Sequence, residues 1–393
     1  MVNTRGGLLA KYKRIWLTLA LPFLWLPMIV GALQAPPSEP DGSELHWPHS
    51  TAEWLVLPRS VDGWLQARFG FRETLLDINA RLRFALRSPT TDRVVFGRDG
   101  WLFLSDDAVF QQSMGLRMRV PLVTQLADVA LDLEHELKAR GAALVIAVPP
   151  NSQSINREAV PDWAQAGAVR TEYDVFAEAV RARGIPFADL RALLRDERTR
   201  EQVYLRTDTH WNNHGALLSY NAVMRAAGKA AWQVDPARVE TGFQAVPGGD
   251  LARMLGMDKH VSDRQMVLDL GSYKPAPYTE KVLDDREVMP SYVLASDDPK
   301  ASGPIVMVIG DSFTRTHFRD LIMLHAKRLI WTHHNQCAFD WGLVETYKPD
   351  LVILAPTERY ALCAPGRSPK NMPESADKKN LEEQAARNRT VVP

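Results

Sequence analysis

The sequence of 393 residues contains only two cysteines, Cys337 and Cys363. That excludes a disulfide-rich scaffold and a four-thiolate zinc site. It has no surplus of either charge, with 47 Lys and Arg against 47 Asp and Glu. A chain without a basic excess is not built for general electrostatic binding to nucleic acid. No internal repeat is visible, which removes solenoids and propellers. Hydrophobic residues at 46% and charged residues at 24% are ordinary for a globular protein. They exclude wholesale disorder and a multi-span membrane protein. The chain is rich in Pro (26) and Trp (11), so extended loops and aromatic packing are expected. Function has to be sought in local features.

The first such feature is Ile15–Leu33, nineteen residues in which Thr18 is the only clearly polar one. As a helix rising 1.5 Å per residue it would be ~28 Å long, close to the thickness of a bilayer's hydrocarbon core. Arg5, Lys11, Lys13 and Arg14 precede it. Such a flank stays cytoplasmic and sends the following chain outward. Pro22 and Pro27 kink a helix of this kind without forbidding it. A cleaved signal peptide is the alternative, because Gly31, Ala32 and Ala35 follow, but the run is long for that role. We therefore expect a cytoplasmic tip and transmembrane helix over residues 1–34, and a linker and N-terminal extension over 35–89. The Pro/Ser/Gly-rich stretch 35–43 would lead away from the membrane. Both alternatives export the rest of the chain. In an oxidising compartment Cys337 and Cys363 are free to pair, and each follows a predicted strand by a few residues. Two unpaired buried thiols are the other reading.

Residues 45–120 mix aromatic and basic residues, with Trp54, Trp64, Phe69 and Phe71 as packing candidates and a helix near Glu73–Leu86. Val94–Phe103 places two apolar runs around Asp99-Gly100, the signature of a hairpin. From residue 123 the pattern becomes α/β. Leu126, Ala130, Leu133 and Leu137 recur at helical spacing, with Gly141 where the helix should close. Ala142–Val148 is an unbroken apolar run stopped by Pro149-Pro150, as in a buried parallel strand. Tyr173, Phe176, Ala177 and Val180 mark a second helix, and residues 214–227 a third. Residues 230–300 lose periodicity and read as a loop-rich excursion. Strands return at Ile305–Ile309, Leu329–Thr332 and Asp350–Leu354, with a helix across Phe318–Lys327. From Pro365 the chain is polar and reads as a disordered tail, 365–393. The expected fold is a parallel sheet flanked by helices over residues 90–364.

Two short segments carry chemistry. The strand Ile305–Ile309 runs directly into Gly310-Asp311-Ser312-Phe313-Thr314. This puts Ser312 at the carboxyl edge of the sheet and at the start of a helix, where open α/β sheets hold their sites. The logic is that of a nucleophile elbow, although the motif is not G-x-S-x-G, and a Ser or Asp that merely caps a helix is the plain alternative. The second segment is Asp208-Thr209-His210. A serine hydroxyl needs a base to take its proton, and His210 can be that base while Asp208 holds its tautomer. A metal reading rests on His210 and His214 at i and i+4, but Trp211 stands where the zinc-protease motif needs Glu. His333 and His334 are further histidines of this kind. Neither a metal nor a cofactor is expected. Ser312, His210 and Asp208 together define a triad for acyl transfer or ester hydrolysis.

At these residues the sequence resembles the SGNH-type hydrolase superfamily, and more closely the membrane-anchored alginate O-acetyltransferase family. The resemblance rests on Phe96-Gly97-Arg98-Asp99-Gly100-Trp101-Leu102-Phe103, Val148-Pro149-Pro150-Asn151, Asp208-Thr209-His210-Trp211-Asn212 and Gly310-Asp311-Ser312-Phe313. It spans roughly residues 90–362. In the usual superfamily order the Ser comes first, whereas here Ser312 follows His210 by about a hundred residues. The resemblance therefore implies a circularly permuted SGNH-like sheet. The superfamily's oxyanion Asn is absent, and Ala355-Pro356-Thr357-Glu358-Arg359-Tyr360 stands in its place. Arg359, Tyr360 and Asn151 are the candidates to assist there; a structural ion pair between Glu358 and Arg359 is the alternative.

The resemblance implies acetyl transfer to a hydroxyl of a secreted polysaccharide, on the periplasmic face of a bacterial inner membrane. It implies a multi-span membrane acyltransferase as acetyl donor, and a polysaccharide synthase or export complex as surroundings. A carbohydrate acetylesterase and a non-catalytic scaffold of such a complex are the rival functions. Trp101, Trp211 and Trp341 are candidates for stacking on sugar rings, with buried packing as the competing role.

Overall fold

A computed structural model describes residues 5–33, 47–67, 69–89, 91–165, 170–286 and 288–364. The expected linker at 35–43 and tail at 365–393 lie outside the described residues. The chain divides into two compact units, Met1–Ser88 and Pro89–Pro393.

The first unit is helical. One helix, Arg5–Leu33, contains the whole apolar run with its two prolines. Among the described residues no helix is long and apolar enough to cross a membrane, so the fold does not establish the expected anchor. Helices Thr51–Ala67 and Arg72–Ala85 follow. At their junction Gly70 donates its N–H to the Pro27 carbonyl at 2.9 Å. A Cβ at Gly70 would lie 2.6 Å from that oxygen, so only glycine permits the approach.

The second unit begins with the hairpin β1 (Val94–Phe96) and β2 (Leu102–Leu104), paired antiparallel. Asp99 and Gly100 both have positive φ, as the tight turn requires. The main sheet is built from β3 (Ala143–Ala147) and β4 (Phe187–Ala188). After a separate antiparallel pair, β5 (Glu240–Pro247) and β6 (Ser262–Leu268), it is completed by β7 (Tyr278–Val282), β8 (Tyr292–Ser296), β9 (Ile305–Gly310), β10 (Arg328–His333) and β11 (Leu351–Ala355). Its order is β4-β3-β11-β9-β10-β8-β7.

The five strands from β4 to β10 are parallel, β8 pairs antiparallel with β10, and β7 pairs antiparallel with β8. The sheet is therefore mixed, not parallel throughout as expected. The reason lies in residues 230–300, which are not a loop excursion. They supply the β5–β6 ribbon and two sheet strands, and β8 buries Tyr292 and Leu294 in the core. Their charged and Pro-broken sequence hid a short edge pair with one polar face. The helix expected across Phe318–Lys327 is also shorter, Arg319–Met323.

Period-two alternation in the central strands builds a core on each face. Val145, Val306, Val308 and Ile353 pack on one side with the helix Asn213–Ala226. Leu144, Ile146, Met307, Val352 and Leu354 pack on the other with helices Val120–Ala139 and Glu172–Ala182. Strands β3, β9 and β11 are neighbours, so the loops after their carboxyl ends lie at one edge: Pro149-Pro150-Asn151, Asp311-Ser312, and Thr357-Glu358-Arg359.

Candidate active site

β9 ends at Gly310, and the backbone turns immediately into the short helix Ser312–Arg315. The turn is tight: a Cβ at Gly310 would lie 2.2 Å from Thr314 Oγ1. Asp311 caps the helix by accepting the Phe313 N–H at 3.1 Å. Its other oxygen accepts the N–H and hydroxyl of Thr357 at 2.8 and 2.5 Å, tying the β9 loop to the β11 loop. Burial alone would raise the Asp311 pKa. The nearby His334 and Arg359 and the Thr357 hydrogen bonds outweigh it and hold the carboxyl below its ordinary value.

His210 comes from a loop pinched at its base by the pairing of Tyr204 with Trp211. Asn212 then caps the helix Asn213–Ala226, accepting the Gly215 N–H at 2.9 Å. Trp211 is fully buried, parallel to Phe318 at 5.9 Å and edge-on to Phe313 at 5.1 Å. It packs and presents no face to a sugar. The loop meets the β9 turn at its functional atoms. His210 Nε2 lies 2.8 Å from Ser312 Oγ, and His210 Nδ1 lies 2.6 Å from Asp208 Oδ1. The same Asp208 oxygen accepts the His210 backbone N–H at 2.9 Å. The His210 ring rests on the Phe313 ring, with centroids 4.8 Å apart. Burial would raise the Asp208 pKa, but the hydrogen bond and charge of His210 reverse it and bring it to about 2. Asp208 is thus ionised across the physiological range.

Two features of this site were not named from sequence. Asp250 belongs to the 230–300 segment and opens the helix Asp250–Met254. It donates its N–H to Asp208 Oδ2 at 2.9 Å, and its carboxylate accepts from the Thr209 N–H and hydroxyl at 2.8 and 2.6 Å. Asp263, on β6, accepts from the N–H groups of Arg206 and Thr207 at 2.7 and 2.9 Å and from the Thr207 hydroxyl. Neither sits in a recognisable motif, and the only local signal is Gly248-Gly249 before Asp250.

The other candidates separate. Asn151 is buried; its side chain donates to Ser113 Oγ at 2.9 Å and accepts from Arg359 Nη1 at 3.2 Å. Arg359 is half-buried, with its guanidinium 5.2 Å from the Phe313 ring centre and 5.3 Å from that of Tyr360. Among the described residues it has no carboxylate partner. The alternative of a Glu358–Arg359 ion pair is not what forms. Glu358 is fully buried, accepts the Asn151 N–H at 2.8 Å, and has its pKa raised by burial. Tyr360 lies against His334, ring centres 5.3 Å apart.

His214 points away from His210, into a pair of carboxylates, with Nδ1 2.6 Å from Glu240 and Nε2 3.4 Å from Glu197. The zinc-like spacing of the two histidines therefore does not converge on one ion. Asp208, His210 and Asp250 do bring potential ligand atoms together. His210 Nδ1 and both carboxylates are engaged in the hydrogen bonds above, which orient the His210 ring toward Ser312. Cys337 and Cys363 are joined as a disulfide with Cα atoms 5.4 Å apart.

A Ser–His–Asp arrangement at the carboxyl edge of an α/β sheet is shared by several hydrolase folds, the SGNH-hydrolase-like one among them. Residues 94–342 match the family described as SGNH hydrolase-like domain, acetyltransferase AlgX, and the chain belongs to that family. It is similar to the probable alginate O-acetylase AlgJ of Pseudomonas putida, 27% identical over 205 residues, 51% of this chain and 52% of that one. The Pseudomonas aeruginosa protein of the same name is 34% identical over 163 residues, 41% and 39% of the two chains. The chain thus spans about half the length, or less, of these curated relatives. Among solved structures, Bacillus cereus PatB1 matches with a TM-score of 0.51 at 12% identity, covering 70% of this chain and 98% of that one. That likeness supports the fold.

Proposed function

We propose that this chain is a serine-dependent O-acetyltransferase that acetylates hydroxyls of a secreted polysaccharide. The observation that carries the reading is the unbroken contact from Ser312 Oγ through His210 to Asp208. Ser312 Oγ attacks the acetyl carbonyl while His210 Nε2 takes its proton. The oxyanion collapses, the donor's leaving group receives the proton, and an acetyl-serine remains. A sugar hydroxyl then gives its proton to His210 and attacks the acetyl carbon. The new ester leaves and Ser312 is regenerated. Arg359, which has no carboxylate within ion-pair distance among the described residues and lies beside the Phe313 ring, favours the negative charge that develops on the carbonyl oxygen. Tyr360 and Asn151 support Arg359 through its ring and amide contacts.

The acceptor is read as alginate or a similar exopolysaccharide, after the relatives' names. The acetyl donor is a multi-span membrane acyltransferase, with a polysaccharide synthase or export complex nearby. The chain order, with the Asp/His loop before the Ser strand, is read as a circular permutation of the superfamily sheet. The catalytic unit faces the periplasm from a single-pass anchor in the inner membrane. The uncharged run within the helix Arg5–Leu33 supports the anchor, and the disulfide supports an oxidising compartment.

The test uses the full chain in detergent with a chromogenic acetyl ester. Acetate release that disappears in Ser312→Ala is expected, and equal release in the variant overturns the reading. Adding polysaccharide separates the rivals. O-acetyl sugar detected by mass spectrometry identifies the transferase, and acetate alone identifies an esterase. If neither forms and the chain co-purifies with a synthase, it is a scaffold.

A further inference from the structure

The helix Arg72–Ala85 carries its large apolar side chains on the face it leaves uncovered. Leu75, Ile78 and Leu82, with Phe71 at the N-cap and Leu86 at the C-cap, recur every three or four residues and form one stripe. Their exposure rises from 42% at Phe71 to 68% at Leu86. The opposite face is the one that packs, with Ala80 buried and Asp77 and Phe84 half-buried. Five large apolar residues in one exposed line call for an occupant other than water.

The elbow before this helix says which occupant. The Gly70 N–H is bonded to the Pro27 carbonyl, and a Cβ on Gly70 would also meet Val30 and Gly31. These residues belong to the last third of the apolar run Ile15–Leu33. Pro27 precedes the end of its helix by six residues, roughly 9 Å of rise. The start of the helix Arg72–Ala85 is therefore held at the depth of that run. With the run as the anchor proposed above, this is the boundary between lipid headgroups and acyl chains. Phe69 and Phe71 flank Gly70 and are exposed there, and aromatic rings favour that boundary.

The charges fit the same occupant. Around the helix axis Arg72 and Arg83 border the stripe on one side and Arg81 on the other, and all three are exposed. Arginine stems lie along apolar surface while the guanidinium reaches phosphate or water. Arg72 contacts Glu73 at 3.0 Å and Arg81 contacts Asp77 at 4.0 Å. Exposed pairs of this kind are weak, so a lipid phosphate can replace them. A second copy of the chain fits less well. The stripe spans about two heptads, short of the three or four that mark a coiled coil.

We propose that the helix Arg72–Ala85 lies in the headgroup region of a phospholipid bilayer, with the stripe from Phe71 to Leu86 on the acyl chains and its bordering arginines on lipid phosphates. The chain then meets the membrane at a second place besides the apolar run. The inference rests on the anchor reading for its depth, and the test separates the two.

The test is dye fluorescence of the full chain in vesicles of equal parts phosphatidylcholine and phosphatidylglycerol. An environment-sensitive dye is attached at Leu82→Cys or, in a second preparation, at Leu21→Cys inside the apolar run; Cys337 and Cys363 are held in their disulfide. Lipid brominated near the top of the acyl chain should quench the Leu82 dye, and aqueous iodide should not. The Leu21 dye should respond to bromine deeper in the chain. Ile78→Glu, at an exposed position, should open the Leu82 dye to iodide and leave the Leu21 dye as it was. Unchanged lipid quenching at Leu82 in Ile78→Glu overturns the proposal. A Leu82 dye open to iodide in the parent, while the Leu21 dye is quenched by lipid, also overturns it and leaves the anchor standing. Quenching by lipid at Leu82 alone upholds the contact and defeats the anchor. Loss of both lipid signals overturns both. A Leu82 dye shielded from lipid and iodide alike overturns the proposal in favour of a protein cover; oxidative cross-linking of unlabelled Leu82→Cys then identifies a second copy, and its absence another surface of the same chain.

Discussion

Gly249 approaches Asp208 so closely that a Cβ on the glycine would lie 2.3 Å from both Asp208 Cβ and Oδ2. The backbone of Gly249 is ordinary, at φ −78° and ψ −160°, so the requirement is for space and not for unusual torsions. Gly249→Ala should displace Asp208 and with it the 2.6 Å contact to His210. A shift of this kind at a general base costs on the order of a hundredfold in kcat. The check is acetyl-ester turnover beside thermal melting, with turnover falling well before the fold is lost.

His334 should make the fold sensitive to acid. It is buried, and its Nδ1 accepts the Gln336 N–H at 3.1 Å. Burial drives its pKa from 6.5 down to about 4, against the weaker upward pull of Asp311. A depressed pKa means that the unfolded chain takes the proton first. The contribution is complete above pH 6.5 and is lost as pH falls through about 4. It amounts to roughly 3 kcal/mol. Urea melts between pH 7.5 and 4 should show the loss, and His334→Gln should flatten that slope.

How far the sequence reveals this site depends on where each group resides in the chain. Ser312 is legible because an apolar strand and a turn announce it within ten residues, and Asp208 with His210 because the two meet locally. Asp250 is not legible. It reaches Thr209 from 41 residues away through a segment whose periodicity is broken. The strands β7 and β8 fail for a related reason. Residues of β7 are largely exposed, and β8 keeps only one buried run beside a parallel core. Their pattern differs from that of the central strands. Neither reading of Glu358 as Arg359's partner nor its opposite could be chosen from adjacency. The choice follows from Asn151, 207 residues away in sequence, whose N–H turns Glu358 inward.

The disulfide should stabilise the site edge. Cys337 and Cys363 are separated by 26 residues, and the loop between them contains β11 and the Thr357–Tyr360 turn. Loop-closure entropy for that length gives about 3.5 kcal/mol. The double variant Cys337→Ala/Cys363→Ala should melt lower than the parent by a corresponding amount. A reductant should lower the parent's melting temperature and leave the double variant unmoved. A parent indifferent to reductant during melting would show that the bridge adds nothing.

Arg359 offers the sharpest test of how the negative oxygen is held. Its guanidinium lies over Phe313, the residue after Ser312, and donates to the buried Asn151 instead of to a carboxylate. Among the described residues no carboxylate lies within ion-pair distance of Arg359, although its charge is felt by the nearby Asp311, so the cation can still respond when charge appears on the carbonyl. Arg359→Ala should lower kcat by about a hundredfold, with KM for a small uncharged acetyl ester nearly unchanged. Arg359→Lys keeps the charge but loses the planar fork and the stacking, so it should recover only part of the rate. If Arg359→Ala instead raises KM and leaves kcat intact, the residue binds the ground state and does not stabilise the transition state. A lower melting temperature with unaltered kinetics would make it a packing residue. The two outcomes separate because Asn151 contributes to the fold through Ser113 and Glu358, contacts that do not involve Arg359.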